Sequence, residues 1–265
     1  MKFLLFPLLT LTLLFSGCGS VSQEIVLPQM PVQPPIEEPM VPSNAWIAVD
    51  GYLERLGYVD PAAATVRAVV YRWPLAQAEL RLVQDAPHTI REWKTIHPEG
   101  FLVINGVYFH DDMLPSGYAA VRGTRIGDRM FDLDKSAAVL LSPTLRLTKM
   151  DSEGELKDPL DIFQTFPWLV YDRAPAVAED SGLRARRTFL GTDGTYAYVG
   201  VVSDSPLTLF ALSHLLPKMG VDWTEVVNLD GGPSTGLSVQ TGSFEETIDS
   251  LTAVPNVLMA SWKGQ

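Results

Sequence analysis

Asn105, at the end of a predicted apolar strand, is the first of three positions whose residue types could take part in chemistry. The strand spans residues 101–104, and Asn105 is followed by Gly106 and, two residues later, by Tyr108. An Asn-Gly pair after a strand is typical of a hairpin turn. An asparagine amide at that place also offers a donor and an acceptor to a ligand. The sequence leaves both interpretations open.

Three arginines within four residues form the second group, and they stand out in an acidic chain. Arg184, Arg186 and Arg187 directly precede Thr188. A solvated basic face is one interpretation of such a run. The other is an anion-binding site, because a guanidinium binds a phosphate through two parallel hydrogen bonds.

The third group is the segment 228–235, which reads NLDGGPST. It places the carboxylate of Asp230 at the end of a predicted apolar strand, before a pair of glycines and two hydroxyl residues. Glycines let the backbone approach a ligand and present N–H groups to an anion. A tight turn capped by aspartate would use the same residues. The segment is not a P-loop, because no Gly-Lys-Ser/Thr follows it.

Other reaction types find little support in the sequence. Ser234 lies in a Gly-x-Ser-x-Gly pattern, but proline directly precedes it and no neighbouring base is evident. The four histidines show no paired-ligand spacing. The tripeptide His110-Asp111-Asp112 could hold a divalent ion, although an exposed polar loop is the simpler interpretation. We therefore identify no cofactor, and a divalent metal is compatible with the sequence but not indicated by it.

The composition predicts a globular protein and restricts its partners. Of the 265 residues, 46% are hydrophobic and 19% are charged, which excludes wholesale disorder. The formal net charge is −11, so nucleic acid and anionic lipid surfaces would repel the chain. The single cysteine excludes an internal disulfide and a cysteine-based zinc site.

Residues 1–17 have the pattern of a signal peptide. A lysine precedes an apolar run from Phe3 to Phe15, and small residues follow before Cys18. This placement resembles a bacterial lipobox, whose cysteine is lipidated, although Phe15 stands where leucine is preferred. An ordinary secretory signal is the alternative. We expect an exported lipoprotein that is anchored to a membrane through the lipid on Cys18 alone.

Residues 18–43 are predicted to form a tether. Six of the 23 residues from 21 to 43 are proline and none is glycine, which favours a semi-rigid, extended segment. Residues 44–265 contain no second linker and no repeat of fixed period, so we expect one domain there. Gly19 is not the aspartate associated with inner-membrane retention. We therefore expect a bacterial cell-envelope location, at the outer membrane if the cell has two membranes.

The elements that must position the three groups are mostly strands. Alternating or apolar runs predict strands at 66–73, 78–83, 101–104, 137–141, 145–149, 168–171, 195–202 and 226–229. The first two flank a turn at Trp73-Pro74. One helix is predicted at 89–96, capped by Thr89, and another at about 207–216, opened by Ser205-Pro206. Strands without regular helical alternation predict an α+β fold, with a mixed, largely antiparallel sheet core flanked by helices.

Taken in order, these segments resemble blocks of the phosphodiester glycosidase family over about residues 63 to 262. The blocks that carry the resemblance are Asn105-Gly-Val-Tyr-Phe109, the helix 89–96 before it, Gln164 to Val170, Arg187-Thr-Phe-Leu-Gly191, Asn228 to Thr235 and Val254-Pro-Asn256. Two positions depart from the family pattern, because Val107 and Pro233 stand where glycine is usual.

The resemblance implies hydrolysis of a sugar-1-phosphodiester, related to a glycan or exopolysaccharide, to a free sugar and a phosphomonoester. The catalytic residues that it implies are Arg187 to bind the phosphate, Asp230 as acid/base or nucleophilic carboxylate, and Asn105. The substrate-binding residues that it implies are Tyr108, Gln164, Thr188, Asn228, Gly231, Gly232, Ser234 and Thr235. Within this set, the amide side chains orient the substrate, while the glycine N–H groups and the last two hydroxyls form an oxyanion cradle. A second carboxylate is not identified by spacing, and Asp204 and Asp111 are the candidates.

Two other functions fit the same residues. One is a surface-tethered protein that binds anionic glycans without cleaving them. The other is a scaffold in which Asp230 and Arg187 form a structural ion pair. For a shared site, the side chains of Asn105, Arg187 and Asp230 should converge in one cleft.

Overall fold

The computed structural model describes residues 44–128, 132–149 and 161–264, and most of the elements in these ranges are antiparallel strands. The signal peptide, Cys18 and the tether of residues 18–43 lie outside them. The strands are β1 (Trp46–Asp50), β2 (Leu53–Asp60), β3 (Ala63–Pro74), β4 (Ala78–His88), β5 (Leu102–Asn105), β6 (Ala119–Val121), β7 (Thr124–Arg125), β8 (Ala137–Leu140), β9 (Arg146–Lys149), β10 (Ile162–Thr165), β11 (Trp168–Tyr171), β12 (Ala174–Pro175), β13 (Ala185–Thr192), β14 (Tyr196–Leu207), β15 (Glu225–Asn228), β16 (Leu237–Gln240), β17 (Glu245–Ile248) and β18 (Val254–Trp262).

Helices are few and short in the described ranges. The α-helices are α1 (Ile90–Ile96) and α2 (Leu209–Leu215), and single 3₁₀ turns occupy Leu216–Met219 and Gly232–Ser234. None of these helices is long and apolar enough to cross a membrane. The expected α+β class therefore needs correction, because the fold is largely β and its helices only cover sheet faces.

The strands form three sheets, which we call A, B and C. Sheet A has eight strands in the order β1-β2-β3-β14-β13-β15-β11-β12. Sheet B has the order β17-β16-β5-β18-β4, and sheet C the order β7-β6-β10-β8-β9. Every strand pair in these sheets is antiparallel, so the largely antiparallel expectation holds and the expected mixture with parallel pairs does not.

The two strands predicted on either side of Trp73-Pro74 are present, but they do not pair with each other. β3 lies between β2 and β14 in sheet A, whereas β4 pairs with β18 in sheet B. A hydrogen bond from the Gln77 N–H to the Pro74 carbonyl, 3.0 Å long, closes the turn between them. The chain thus crosses from one sheet to another at this turn.

The main hydrophobic core lies among the three sheets. Its buried side chains include Leu190 and Val199 of sheet A, Ile104 of sheet B and Phe163 of sheet C. Successive strand residues point to opposite faces. Phe189 precedes Leu190 and Tyr198 precedes Val199, so their side chains point to the other face of sheet A. There they belong to a second hydrophobic cluster, and α2 covers this face.

Both helix starts depend on a threonine. α1 begins after Thr89, whose hydroxyl accepts the Glu92 N–H while the Glu92 carboxylate accepts the Thr89 N–H, as a capping box requires. α2 begins after Thr208, two residues later than expected. The predicted opening at Ser205-Pro206 is wrong, because β14 continues to Leu207, which pairs with Ala185.

A buried ion pair joins sheet A to sheet B. Arg55 on β2 is 4% exposed, and its guanidinium donates two hydrogen bonds of 2.7 and 2.8 Å to the Glu246 carboxylate on β17. The buried Tyr71 hydroxyl on β3 donates to the same carboxylate. Burial raises the pKa of Tyr71, and the negative charge of Glu246 raises it further, so this hydroxyl keeps its proton.

We expect Glu246→Ala to lower the free energy of unfolding by about 3 kcal/mol, because it leaves the Arg55 charge buried without a partner. Urea denaturation measures this change. The matched control is Glu245→Ala, since that neighbouring side chain is exposed, and it should stay within about 0.5 kcal/mol of wild type. Equal stability of the two variants would show that the ion pair does not hold the sheets together.

Candidate active site

The candidate site lies where strands of all three sheets end against one another. Asn105 ends β5 of sheet B, and its side-chain N–H donates a 2.7 Å hydrogen bond to the carbonyl of Asp230, beyond the end of β15 in sheet A. The Asp230 N–H in turn donates to the Gly106 carbonyl at 3.2 Å. The hydroxyl of Thr165, at the end of β10 in sheet C, donates to the Asn228 carbonyl at 2.6 Å. These bonds fix the relative positions of the predicted blocks.

Asn105 is fully buried, and both ends of its amide contact protein atoms. Its Oδ1 accepts from the Thr188 hydroxyl at 2.7 Å and from the Gly236 N–H at 3.1 Å. Its Nδ2 donates to the Asp230 carbonyl. Asn105 therefore lies beneath the site and holds the Asp230 backbone in position, whereas we expected it to act on the substrate.

Asp230 lies at the surface of the site and is partly exposed. Its Oδ1 accepts the Gly231 N–H at 2.8 Å. Burial raises the pKa of the Asp230 carboxyl above its ordinary value, although hydrogen bonds from Ser234 and from the Gly231 N–H oppose the change. A carboxyl in this environment keeps its proton to a higher pH than an exposed aspartate does.

Arg187 is 9% exposed and is held by backbone carbonyls. Its Nε donates to the Leu207 carbonyl and a terminal N–H to the Leu183 carbonyl, both at 2.8 Å. Burial lowers the pKa of Arg187. Among the described residues no carboxylate forms an ion pair with it, so the structure contradicts the scaffold hypothesis of an Asp230–Arg187 pair.

The Tyr108 hydroxyl lies close enough to both charged groups to be affected by each. Burial raises the pKa of Tyr108 and the charge of Asp230 raises it further, while the charge of Arg187 and a hydrogen bond from Asn228 lower it. The hydroxyl donates to the Phe166 carbonyl at 3.2 Å. A Cβ at Gly231 would lie 3.9 Å from the Arg187 Nη1, so Arg187 also lies beside the Asp230 segment, whose carbonyl the Asn105 amide holds.

Asn228 is buried behind Tyr108 and has one unused acceptor. Its Nδ2 donates to the Tyr108 hydroxyl and, at 2.6 Å, to the Leu229 carbonyl. Its Oδ1 has no hydrogen-bond partner among the described residues. A buried acceptor without a partner is uncommon in native proteins, and such atoms often mark a functional site.

Gln164 does not have the expected role. Its Oε1 accepts the N–H groups of Tyr118 and Asp132 at 2.8 and 3.0 Å, and its Nε2 donates to the carbonyls of Asp132 and Lys135 at 2.9 and 3.0 Å. These four bonds use the full capacity of the amide. Gln164 therefore ties two loops to β10 and has no group left for a sugar hydroxyl.

The expected oxyanion cradle is also largely occupied. The Gly231 N–H donates to Asp230, and the Ser234 and Thr235 N–H groups donate to backbone carbonyls within the turn. The buried Thr235 hydroxyl accepts from Thr188 at 3.2 Å, and the Ser234 hydroxyl bonds to the Asp230 carboxyl. Of this cradle, the Gly232 N–H is the backbone donor for which the described contacts show no partner.

The two glycines in the cradle are nevertheless needed for its shape. Gly232 has a φ of +60°, in the left-handed region that glycine tolerates best. A Cβ at Gly231 would lie 2.9 Å from the Arg186 carbonyl, which is too close for an unstrained contact. The two departures from the family pattern are accommodated, because Val107 joins the main core and Pro233 lies in the 3₁₀ turn.

Asn256 is a site residue to which the sequence analysis assigned no role. Its Oδ1 accepts the Val107 N–H at 2.7 Å, and its carbonyl accepts the Gly106 N–H at 3.1 Å. A Cβ at Gly106 would lie 2.1 Å from Asn256 Oδ1, so only glycine fits beside it. Asn256 therefore fixes the turn between Asn105 and Tyr108. The Val254-Pro-Asn256 block was the signal that could have indicated this role.

The two candidates for a second carboxylate lie apart from Asp230. Asp111 is exposed on the turn after Tyr108, and Asp204 lines a separate cleft with Arg67 and Arg184. His110 contacts the Asp128 carboxylate at 3.0 Å. Within the described ranges, no three side chains of the metal-ligating types are grouped closely enough to hold a metal ion.

Comparison with known proteins gives one family, and the similar solved structures include two with a TM-score above 0.5. The catalytic domain of zebrafish N-acetylglucosamine-1-phosphodiester alpha-N-acetylglucosaminidase, auto-inhibited by its pro-peptide, is 15% identical with a TM-score of 0.59, over 79% of this chain and 82% of that one. A hypothetical protein from Synechocystis is 13% identical with a TM-score of 0.54, over 79% of this chain and 62% of that one. At these identities the likeness shows the fold alone. No curated protein matches the sequence significantly.

The family follows from the sequence profile rather than from these structures. The profile of the phosphodiester glycosidase family matches residues 100–261, which is more than half of the chain. The match includes every block of the site, from the turn at Asn105 to the Asn256 that supports it. The chain therefore belongs to the phosphodiester glycosidase family.

Proposed function

We propose that the protein is an exported, membrane-tethered hydrolase that cleaves a sugar-1-phosphodiester, related to a glycan or exopolysaccharide, to a free sugar and a phosphomonoester. Family membership supports the reaction type. The observation that carries the proposal is the pair of opposite charges beside Tyr108. They are the buried guanidinium of Arg187, which has no carboxylate partner among the described residues, and the partly exposed carboxyl of Asp230.

The environment of Arg187 supports the proposal that the substrate is an anion. A buried charge is ordinarily paired, because leaving it unpaired in a medium of low polarity is costly. The carbonyls of Leu183 and Leu207 orient the guanidinium but carry no net charge to balance it. A guanidinium has five N–H groups, so donors remain for a phosphate oxygen. A bound phosphodiester would supply the missing negative charge.

The environment of Asp230 suits its carboxyl to proton transfer during hydrolysis. Hydrolysis adds the hydroxyl of water to one side of the broken bond and a proton to the other. A carboxyl whose pKa is raised by burial can donate that proton to the departing oxygen and recover one from the attacking water. Arg187 would meanwhile stabilise the charge on the phosphate.

Asn228 and Tyr108 are suited to bind the sugar, on the side of the phosphate where Asp230 lies. The unpaired Oδ1 of Asn228 can accept a hydrogen bond from a sugar hydroxyl if the Tyr108 side chain shifts to admit it. The Tyr108 ring lies 5.0 Å from the ring of the partly exposed Phe166, which gives this side an aromatic wall. Aromatic faces and single hydrogen-bonding groups are typical of small-molecule sites.

The direct test is incubation of the purified protein with a panel of sugar-1-phosphodiesters. Free sugar and phosphomonoester are measured separately. Release of both in equal amounts supports the proposal. Binding without release of either product would instead favour the non-catalytic glycan-binding protein.

Asp230→Asn should lower kcat by at least ~10²-fold, because the amide cannot transfer a proton. Steady-state kinetics on the best substrate of the panel measure the change. The matched control is Asp85→Asn, which alters an exposed aspartate and should retain wild-type kcat.

The same variant predicts a change in stability that excludes unfolding as the cause. Because the pKa of Asp230 is raised on folding, the charged carboxylate destabilises the fold at pH values above that pKa, and the effect disappears below the unfolded-state pKa. Asp230→Asn should therefore melt at the same or a higher temperature than wild type at pH 7, with the gain lost in acid. A folded variant with near-wild-type kcat would show that another group moves the proton.

Arg187→Ala should raise KM by about 10- to 100-fold, because a charge-assisted hydrogen bond to the bound phosphate contributes about 1.5–3 kcal/mol. It should also lower kcat, because the departing phosphate gains negative charge in the transition state. Kinetics on the same substrate measure both constants. Arg173→Ala removes an arginine whose ion pair with Asp222 is exposed, and it should change neither constant. An unchanged KM for Arg187→Ala in a folded protein would contradict phosphate binding at this position.

The tether is tested separately through Cys18. Cys18→Ser should move the protein from the membrane fraction to the soluble fraction, or block removal of the signal peptide, because serine has no thiol to lipidate. Fractionation of cells that express each form, followed by detection of the protein, measures this. Unchanged membrane association of a Cys18→Ser protein whose signal peptide has been removed would exclude the lipid anchor and leave the hydrolase proposal unaffected.

A further inference from the structure

A basic cleft adjoins the place where Arg187 is held. It has a volume of about 470 Å³, within the ~300–1,000 Å³ range of small-molecule sites. Three segments line it, which are residues 65–67 of β3, residues 204–207 of β14, and Arg184 just before β13. We call it the Arg67–Arg184 cleft.

The cleft and Arg187 of the candidate active site share two backbone segments. Leu207 lines the cleft, and its carbonyl accepts the Arg187 Nε–H at 2.8 Å. Leu183, whose carbonyl accepts another Arg187 N–H, directly precedes Arg184. The two backbone segments that hold the Arg187 guanidinium therefore also border the cleft.

The charges of the cleft favour an anion. Two guanidinium groups, those of Arg67 and Arg184, line it together with one carboxylate, that of Asp204. In the described part of the chain, no ion pair engages either arginine, and the one side-chain hydrogen bond seen is from Arg184 to the Pro206 carbonyl at 3.5 Å. The lining thus keeps a net positive charge on a protein whose formal charge is −11.

The direction of the cleft relative to the site indicates which part of a substrate it would meet. The Nε–H and one terminal N–H of Arg187 donate to the carbonyls of Leu207 and Leu183, beside the cleft. The other terminal nitrogen, Nη1, lies toward Gly231, 3.9 Å from where a Cβ on that glycine would be, and thus toward Asp230, which would face the sugar. A phosphodiester bound by Arg187 would therefore direct its second ester group, the alcohol, toward Arg67 and Arg184.

We propose that the Arg67–Arg184 cleft binds a second anionic group on the alcohol side of the substrate, so that the enzyme prefers glycans with repeated phosphate or carboxylate groups. This inference rests on the proposed function, because it places the cleaved phosphodiester at Arg187. Two guanidinium groups can bind either a phosphate or a carboxylate through paired N–H donors. The cleft would then select a polyanionic chain over an isolated diester.

Three substrates that share one sugar-1-phosphate test this inference. The sugar is the one that the wild type cleaves fastest in the panel, and the alcohol is glycerol, glycerol phosphate or glycerate. Wild type should show a higher kcat/KM for either anionic alcohol than for glycerol. A preference for phosphate over carboxylate, or the reverse, identifies the second group.

The matched variants are Arg67→Gln/Arg184→Gln and the control Arg173→Gln/Lys218→Gln, which removes two exposed positive charges elsewhere. Arg67→Gln/Arg184→Gln should lower kcat/KM at least ~10-fold for the substrates with an anionic alcohol, mainly by raising KM. Its kcat/KM for the glycerol substrate should stay within ~2-fold of wild type. The control should change none of the three. Equal losses on all three substrates, or no loss with the anionic alcohols, would overturn the inference.

A binding measurement separates this inference from the proposed reaction. If wild type hydrolyses no member of the panel, the proposed function fails, and calorimetry on the glycerol phosphate diester of one panel sugar then tests the cleft alone. Weaker binding to Arg67→Gln/Arg184→Gln than to the control variant supports the cleft. Equal binding to the two variants rejects it.

Discussion

The buried amide of Asn105 is the constraint on which the arrangement of the site depends. Its hydrogen bonds reach Thr188 on sheet A, Gly236 before β16 of sheet B, and the carbonyl of Asp230. A buried polar group that loses its partner costs about 1–3 kcal/mol, so the three segments cannot move apart independently. The backbone of Asp230 is held in place in this way, while its partly exposed carboxyl accepts hydrogen bonds from Gly231 and Ser234.

Charge placement gives the site its chemical character. Arg55 also carries a buried guanidinium, but Glu246 neutralises it and the result is a link between sheets. Arg187 is buried to a similar degree, yet its described contacts are with neutral carbonyls. The same residue type is therefore structural where a carboxylate faces it and fit for an anionic ligand where none does. Asp230 complements Arg187, because burial raises the pKa of its carboxyl, which then keeps its proton to a higher pH.

Local sequence patterns predicted single elements well and their partners poorly. The Thr89 capping box and the alternation along β3 are short-range features, so a window of a few residues contains the physical cause of each element. Which sheet a strand joins depends on contacts with distant residues. β3 and β4 are adjacent in the chain, but their partners are β14 and β18, which no local pattern indicates. The α+β expectation failed for the same reason, because counting elements does not show that the helices only cover sheet faces.

The sequence by itself determined which blocks are candidates for the site, because Asn105 and Asp230 follow predicted strands and the arginine run before Thr188 stands out in an acidic chain. It also determined the family, through those blocks. Only the tertiary structure decided which polar side chains use their hydrogen-bonding groups on other protein atoms. Gln164 and Thr235 have groups that suit a ligand, but burial and saturated hydrogen bonds direct them inward. The availability of a polar group depends on what folding packs around it, and that is set by residues far away in the chain.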